Sequence, residues 1–288
     1  MKATGAPIVS IQDLHHRYGN KKIYQGLSVD VEKGSVFGLL GKNGVGKSTL
    51  INILMGYLRP EKGDCLVFGE PSHNLPPETR RRIALLYEGF ISYDAMRICD
   101  VEPFFAAFYP SWKKQVFYDL VSLMDVKLTQ KLSTLSFGQK SQVILGLVFA
   151  QDADLLILDD YSMGLDAGYR RLFIDYLKDY LSGTDKTVLV TSHIMGDLES
   201  LVDSIVILDR KMPVYQGRMD TFCHDFRCYA TSASIPETPG ILRTETLMGE
   251  TRIYSFLAAD ALERTLSVPL KPVPLTFEEK FLGYVGKY

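Results

Sequence analysis

The stretch Ser35-Val36-Phe37-Gly38-Leu39-Leu40-Gly41-Lys42-Asn43-Gly44-Val45-Gly46-Lys47-Ser48-Thr49-Leu50-Ile51 changes its hydrophobic period in mid-course. Ser35 to Leu40 is a short apolar run, as expected of a strand covered on both faces. From Leu50 onward, Leu50, Ile51, Leu54, Met55 and Leu58 fall on one face of a helix, which Arg59-Pro60 and Gly63 end. Between strand and helix lies Gly41-x-x-x-x-Gly46-Lys47-Ser48. Its glycines permit a tight loop whose backbone N–H groups turn inward to meet phosphate oxygens. Lys47 can reach β and γ phosphates, and Ser48 offers an oxygen to Mg²⁺. Gly41, Asn43, Gly44, Gly46, Lys47, Ser48 and Thr49 are thus candidate phosphate-binding residues. Loop and helix N-terminus together make an anion site without a net-positive protein.

Working outward, residues 8–18 read as a strand ending in a turn at Tyr18-Gly19-Asn20, and Ile23 to Val31 as a second extended stretch. Residues 64–69 and 83–87 offer further strands. Residues 92–150 turn mostly helical. Leu155–Asp159, Thr187–Thr191 and Ser204–Leu208 are near-continuous β-rich runs, the pattern of central parallel strands between helices. The fold class is therefore α/β: a phosphate-loop core, a helical insertion over 92–150, and a different pattern beyond Gly217. In that tail, Ile241–Leu247 and Thr251–Ala258 can pair as strands. Thr276-Phe277-Glu278-Glu279 has the spacing of a helix capping box, and Phe277, Phe281 and Tyr284 then share one face. The expected units are 1–217, the core with its insertion, and 218–288, a small accessory domain.

Leu155-Leu156-Ile157-Leu158-Asp159-Asp160 is the second chemical signal. An apolar strand ending in carboxylates places Asp159 beside Mg²⁺, the acidic partner to a phosphate loop.

Composition narrows the classes. The 288 residues carry 32 basic and 34 acidic side chains, a net charge of -2, so no overall positive field points to nucleic acid. With 46% hydrophobic residues the chain is not broadly disordered. Its apolar runs are far shorter than the ~20 residues of a membrane span, and the start lacks the apolar segment of a secretory signal; a cytoplasmic protein is expected. Four cysteines do not make a disulfide scaffold. Cys223, His224 and Cys228 lack a fourth clustered zinc ligand, so no structural metal is expected there.

With Gly41–Thr49, Leu135-Ser136-Phe137-Gly138-Gln139, Leu155–Asp160, Leu165-Asp166 and His193 in this order, the chain resembles the ATP-binding subunits of ABC transporters over roughly residues 8–217. The resemblance implies ATP and Mg²⁺ as ligands. It implies that Tyr18 stacks on adenine, that Ser48 and Asp159 hold the metal, that Asp160 polarises the attacking water, and that His193 donates to the γ-phosphate. Ser136, Gly138 and Gln139 then cap ATP bound to a second cassette, in a head-to-tail dimer expected to be a homodimer, with Asp166 coupling the two sites. The partner that family members drive is a separate integral membrane permease; the single cassette without a fused membrane segment is similar to two-subunit bacterial exporters. Such a motor sits peripherally on the cytoplasmic face of the cell membrane.

Several positions depart from the family pattern. Phe137 stands where glycine is usual, Tyr161 where proline is, and Asp160 where glutamate is; Asp is one methylene shorter. Glu88 occupies the place of a glutamine that approaches the metal, and an ionised Glu offers acceptors only. Slow turnover is the expected consequence of Asp160 and Glu88. Taken without the family, Tyr18 also reads as a strand-edge core residue and Glu88 as a solvated loop acid. Phe104, Phe105, Phe108, Tyr109 and Trp112 read either as partner surface or as the core of the insertion. Two other functions remain beside transport: a non-transport ABC clamp and a weakly hydrolysing regulatory subunit.

Overall fold

A computed structural model describes residues 6–87, 93–162, 165–210, 214–247 and 249–286. Strands β1 (Val9–Tyr18) and β2 (Lys21–Val31) form an antiparallel hairpin, Tyr18 opposite Lys21 and Val9 opposite Val31. The chain then enters a second sheet as β3 (Val36–Gly41), passes through the glycine loop, and forms helix α1 (Lys47–Leu54). β4 (Lys62–Val67) and β5 (Glu70–Pro71) return to the first sheet, whose order is β2-β1-β4-β5. A short helix α2 (Pro77–Arg80) precedes β6 (Ile83–Leu86). Next come three helices, α3 (Ile98–Ala106), α4 (Lys114–Ser122) and α5 (Phe137–Ala150). The chain re-enters the second sheet with β7 (Leu155–Leu158), α6 (Ala167–Leu181), β8 (Thr187–Val190), α7 (Met195–Leu201), β9 (Ser204–Leu208) and β10 (Tyr215–Arg218).

The second sheet has the order β10-β9-β3-β8-β7-β6, parallel apart from β10. β7 shows why the run 155–158 carries no polar alternation. Leu155 and Ile157 enter one core with α1 and the antiparallel sheet, whereas Leu156 and Leu158 enter the other with α5, α6 and α7. All four are buried, as both-faced coverage requires. The α/β core expected from the sequence is present. Because β3, β7 and β8 run parallel, the loops after all three open at one end of the sheet, where open α/β folds place ligands.

Helices α3, α4 and α5 gather a core of their own around Ile98, Val101, Phe117, Val121, Leu132, Val143 and Leu147. The aromatic group of the insertion divides. Phe105 and Trp112 pack on this core, Trp112 Nε1 donating to Glu102 Oε1 at 2.8 Å, while Phe104 and Phe108 are exposed.

The C-terminal chain forms α8 (Met219–Asp225), β11 (Arg227–Thr231), β12 (Ile241–Leu247), β13 (Glu250–Ser255), α9 (Ala259–Leu266), β14 (Lys271–Val273) and α10 (Phe277–Val285). Its antiparallel sheet runs β12-β13-β11-β14, so the pairing of Ile241–Leu247 with the following stretch is as read from sequence. The capping box at α10 is formed: Glu279 N–H donates to Thr276 Oγ1 and Thr276 N–H to Glu279 Oε2. Phe222, Phe226, Phe277, Phe281 and Tyr284 share one continuous core with Leu198, Leu201, Ile205 and Ile207 of the parallel-sheet layer. Lys280 Nζ adds a bond of 2.6 Å to the Cys223 carbonyl and one to that of Phe226. The tail is thereby fixed against the face that carries α7.

Candidate nucleotide site

Gly46 is the N-cap of α1 with φ +128°, and no side chain caps this helix. A Cβ at Gly46 would stand 2.7 Å from Ile23 Cγ2 and 2.8 Å from the Tyr24 hydroxyl oxygen, so only glycine fits. The buried Tyr24 hydroxyl donates to the Gly46 carbonyl, and the guanidinium of Arg210 donates to the Gly44 carbonyl. These bonds hold two loop carbonyls turned away, which leaves loop N–H groups for an anion. Lys47 Nζ donates to the carbonyls of Gly41 (2.7 Å) and Lys42 (3.3 Å), arching over the loop.

The loop forms one wall of a cleft of about 710 Å³. Gly41, Asn43, Gly44, Gly46, Lys47, Ser48 and Thr49 line it, as do Asp159, Asp160 and His193 from the ends of β7 and β8. Tyr18 lines its edge, half exposed, with its ring edge-on to His16 at 5.0 Å. Eleven of the positions singled out in the sequence thus meet in one place.

Asp159 is only 2% exposed. Its Oδ1 accepts from the Thr191 hydroxyl at 2.8 Å, while its Oδ2 is buried with no hydrogen-bonding partner among the described residues. Burial raises the Asp159 pKa; the Thr191 and Ser48 hydroxyls and the Lys47 ammonium pull the other way, and neighbouring Asp160 raises it further. A buried, partnerless carboxylate oxygen close to a serine hydroxyl is a donor set that fits a hard divalent cation such as Mg²⁺.

Asp160 follows in the left-handed region, φ +47°, which Asp tolerates better than most residues. Its N–H donates to Thr191 Oγ1 at 2.8 Å, and its Oδ1 accepts from Ser162 Oγ at 3.0 Å. His193 Nδ1 lies 3.0 Å from both Asp160 oxygens. With the carboxylate ionised, Nδ1 must carry hydrogen and donate. The other nitrogen, Nε2, is then an acceptor in neutral imidazole and a donor only in imidazolium. Tyr161 stacks on Phe173 at 4.6 Å and reaches Asp197 Oδ2 at 3.3 Å, so a buried aromatic pair fills the position after the acid.

Ser136, Gly138 and Gln139 stand apart from this cleft, at the N-terminus of α5. Gln139 N–H donates to Ser136 Oγ at 3.2 Å and Ser136 N–H to Gln139 Oε1 at 3.0 Å, a reciprocal cap. Phe137 beside them is 46% exposed, although an aromatic would normally be buried. Asp166 caps α6, accepting from Tyr169 N–H at 2.9 Å. Glu88 lies outside the described residues.

The ABC transporter family model matches residues 24–162. Nod factor export ATP-binding protein I of Burkholderia orbicola is 30% identical over 218 residues, spanning 74% of this chain and 71% of that protein. The chain belongs to the ABC transporter ATP-binding proteins. This family membership makes it a nucleotide-binding ABC ATPase. The ABC transporter ATP-binding protein NatA of Bacillus subtilis is 26% identical over 224 residues, 74% of this chain and 91% of that one. A solved ATP-binding subunit of an ABC transporter shares the fold, with a TM-score of 0.66 at 22% identity over 75% of this chain and 92% of its own. No helix among the described residues is long and apolar enough to cross a membrane.

Several residues that shape this cleft carry no motif signal. Tyr24 and Arg210 act on the loop only through its carbonyls, which no motif records. Thr191 and Ser192 border the cleft because β8 lies between β3 and β7. Glu278, Phe281 and Leu282 of α10 also line it, and no sequence spacing relates them to Lys47.

Proposed function

We propose that this chain binds Mg-ATP in the cleft and hydrolyses it as the cytosolic motor of an exporter-type ABC transporter. The carrying observation is the buried, partnerless Asp159 Oδ2 at the end of β7, beside Ser48 and the Lys47 loop. Ser48 and Asp159, with Glu88 as the family resemblance implies, would hold Mg²⁺, which would offset the negative charge of the bound phosphates. Loop N–H groups and Lys47 bind the phosphates, and Tyr18 takes the adenine face. In hydrolysis, the oxygen of water bonds to the γ-phosphorus as the bond to the β-bridging oxygen breaks. Asp160 accepts the water's proton, and ADP and phosphate leave. His193, oriented through Nδ1 by Asp160, donates from Nε2 to the γ-phosphate in its imidazolium form.

Two cassettes close head to tail. Ser136, Gly138 and Gln139 do not line their own cleft, which fits their serving the opposing ATP, with Asp166 between the sites. Residues 1–217 form the nucleotide unit and 218–288 the accessory unit. A separate permease places the pair on the cytoplasmic face of the membrane. Its docking surface is a groove of about 430 Å³ between core and insertion, lined by Tyr57, Tyr87, Tyr93, Phe105 and Tyr109, with exposed Phe104 and Phe108 nearby. Export as the direction draws on relatives named for export. A weakly hydrolysing regulatory role is the second reading, favoured by one feature: both Asp160 oxygens already face His193 and one accepts from Ser162.

The test is purification from native membranes with an ATPase assay of the intact complex. The motor reading expects a co-purifying multi-span protein and turnover that Asp160→Asn lowers about 10²–10⁴-fold. Turnover equal in parent and Asp160→Asn would remove Asp160 from the chemistry, and absence of a membrane partner would reject transport.

A further inference from the structure

α10 does more than seal the C-terminal core. Its buried residues Phe277, Phe281 and Tyr284 join the same core as Leu198 and Leu201 of α7, and Lys280 is tied to the carbonyls of Cys223 and Phe226. The helix is therefore held in place on the molecule, not hinged on it. From that position, Glu278, Phe281 and Leu282 line the cleft that holds Lys47, Asp159 and His193. A wall of the nucleotide site is thus built by a segment more than two hundred residues downstream of the phosphate loop.

The carboxylates that line the cleft differ in their partners. Asp159 Oδ1 accepts from Thr191 and its Oδ2 is buried without a partner among the described residues, and Asp160 is hydrogen-bonded to His193 Nδ1. Glu278 is exposed, in the first turn of α10, and makes no described hydrogen bond or ion pair, whereas adjacent Glu279 is engaged in the helix cap. A carboxylate facing a polyphosphate repels it in proportion to the ligand's charge, and added salt weakens that repulsion.

We propose that Glu278 is an affinity-setting residue of the nucleotide site: its carboxylate on the fixed α10 wall disfavours nucleotides of high negative charge. The site then discriminates against metal-free ATP relative to forms with fewer charges. The inference rests on the proposed nucleotide role of the cleft.

Calorimetric titration of the full-length chain with metal-free ATP, ADP and AMP at low and high salt tests it. Glu278→Gln is expected to tighten ATP binding about two- to five-fold at low salt, the range of a solvent-screened charge pair. Glu278→Lys should tighten it further, with a smaller gain for ADP, little for AMP, and convergence of all variants with the parent at high salt. Glu250→Gln changes net charge equally but lies on β13, outside the cleft-lining set, and should match the parent. Equal ATP affinities for parent, Glu278→Gln and Glu278→Lys at low salt would overturn the inference. So would an equal gain in Glu250→Gln, which would show a whole-protein charge effect. If the parent binds no ATP with or without Mg²⁺, the nucleotide reading itself fails, which is a separate result.

Discussion

Replacing Gly46 by alanine makes two demands on the phosphate loop that can be separated. The backbone at Gly46 has φ +128°, so any L side chain is strained there, at about 1–2 kcal/mol. The new methyl would also stand 2.7 Å from Ile23 Cγ2 and 2.8 Å from the Tyr24 hydroxyl oxygen. Carbon atoms normally rest about 3.5–4.0 Å apart, so strand β2 or the loop must move, an overpacking cost of about 1–3 kcal/mol. Gly44 supplies the control. It too has a positive φ, +74°, but a Cβ there meets nothing within 4 Å. Thermal unfolding without nucleotide should therefore find Gly46→Ala less stable than Gly44→Ala by at least the clash, since φ +128° also lies farther from the left-handed region that L residues tolerate than φ +74° does. At about 2–4 °C per kcal/mol for a chain of this size class, the gap in Tm is about 2–12 °C. Adding Ile23→Ala to Gly46→Ala should recover part of the gap, because the two sites touch. Equal Tm values for the two glycine variants would refute the packing argument.

Asp159→Asn should raise the stability of the nucleotide-free protein at neutral pH while abolishing Mg²⁺-dependent nucleotide binding. Burial raises the folded pKa of Asp159 above the usual carboxylate range, so the folded chain binds this proton more tightly than the unfolded chain does. The parent therefore loses stability as pH rises from the ordinary carboxylate range through that raised pKa. The Tm advantage of Asp159→Asn should shrink as pH falls through the same window; an advantage independent of pH would contradict it. Ser136→Ala removes half of the α5 cap and should cost about 1 kcal/mol, read as a Tm lowered by about 2–4 °C. ATP binding to a single cassette should be unchanged, since Ser136 does not line its own cleft.

The legible parts of this molecule are those encoded locally. Leu155–Leu158 reads as a doubly covered strand because each residue is buried, and Thr276 with Glu279 reads as a cap because both partners lie within one turn. Lys47, Ser48 and Asp159 declare themselves by residue type at the ends of such elements. What sequence does not carry is the register of distant pieces. The hydroxyl of Thr191 bonds Asp159 because β8 runs beside β7, and Glu278 lines the same cleft as the phosphate loop because α10 packs on α7. The Ser136–Gln139 cap repeats that same local spacing, whereas the contact of His193 Nδ1 with Asp160 depends on side-chain orientation, which motif order leaves open.

Calorimetric titration of the full-length chain with ATP and Mg²⁺, for the parent and for Lys47→Ala, tests the central claim most directly. The account predicts saturable binding by the parent that weakens when Mg²⁺ is withheld, and its loss in Lys47→Ala with the Tm of the nucleotide-free protein retained. Parental affinity in a folded Lys47→Ala would contradict the assignment of this cleft.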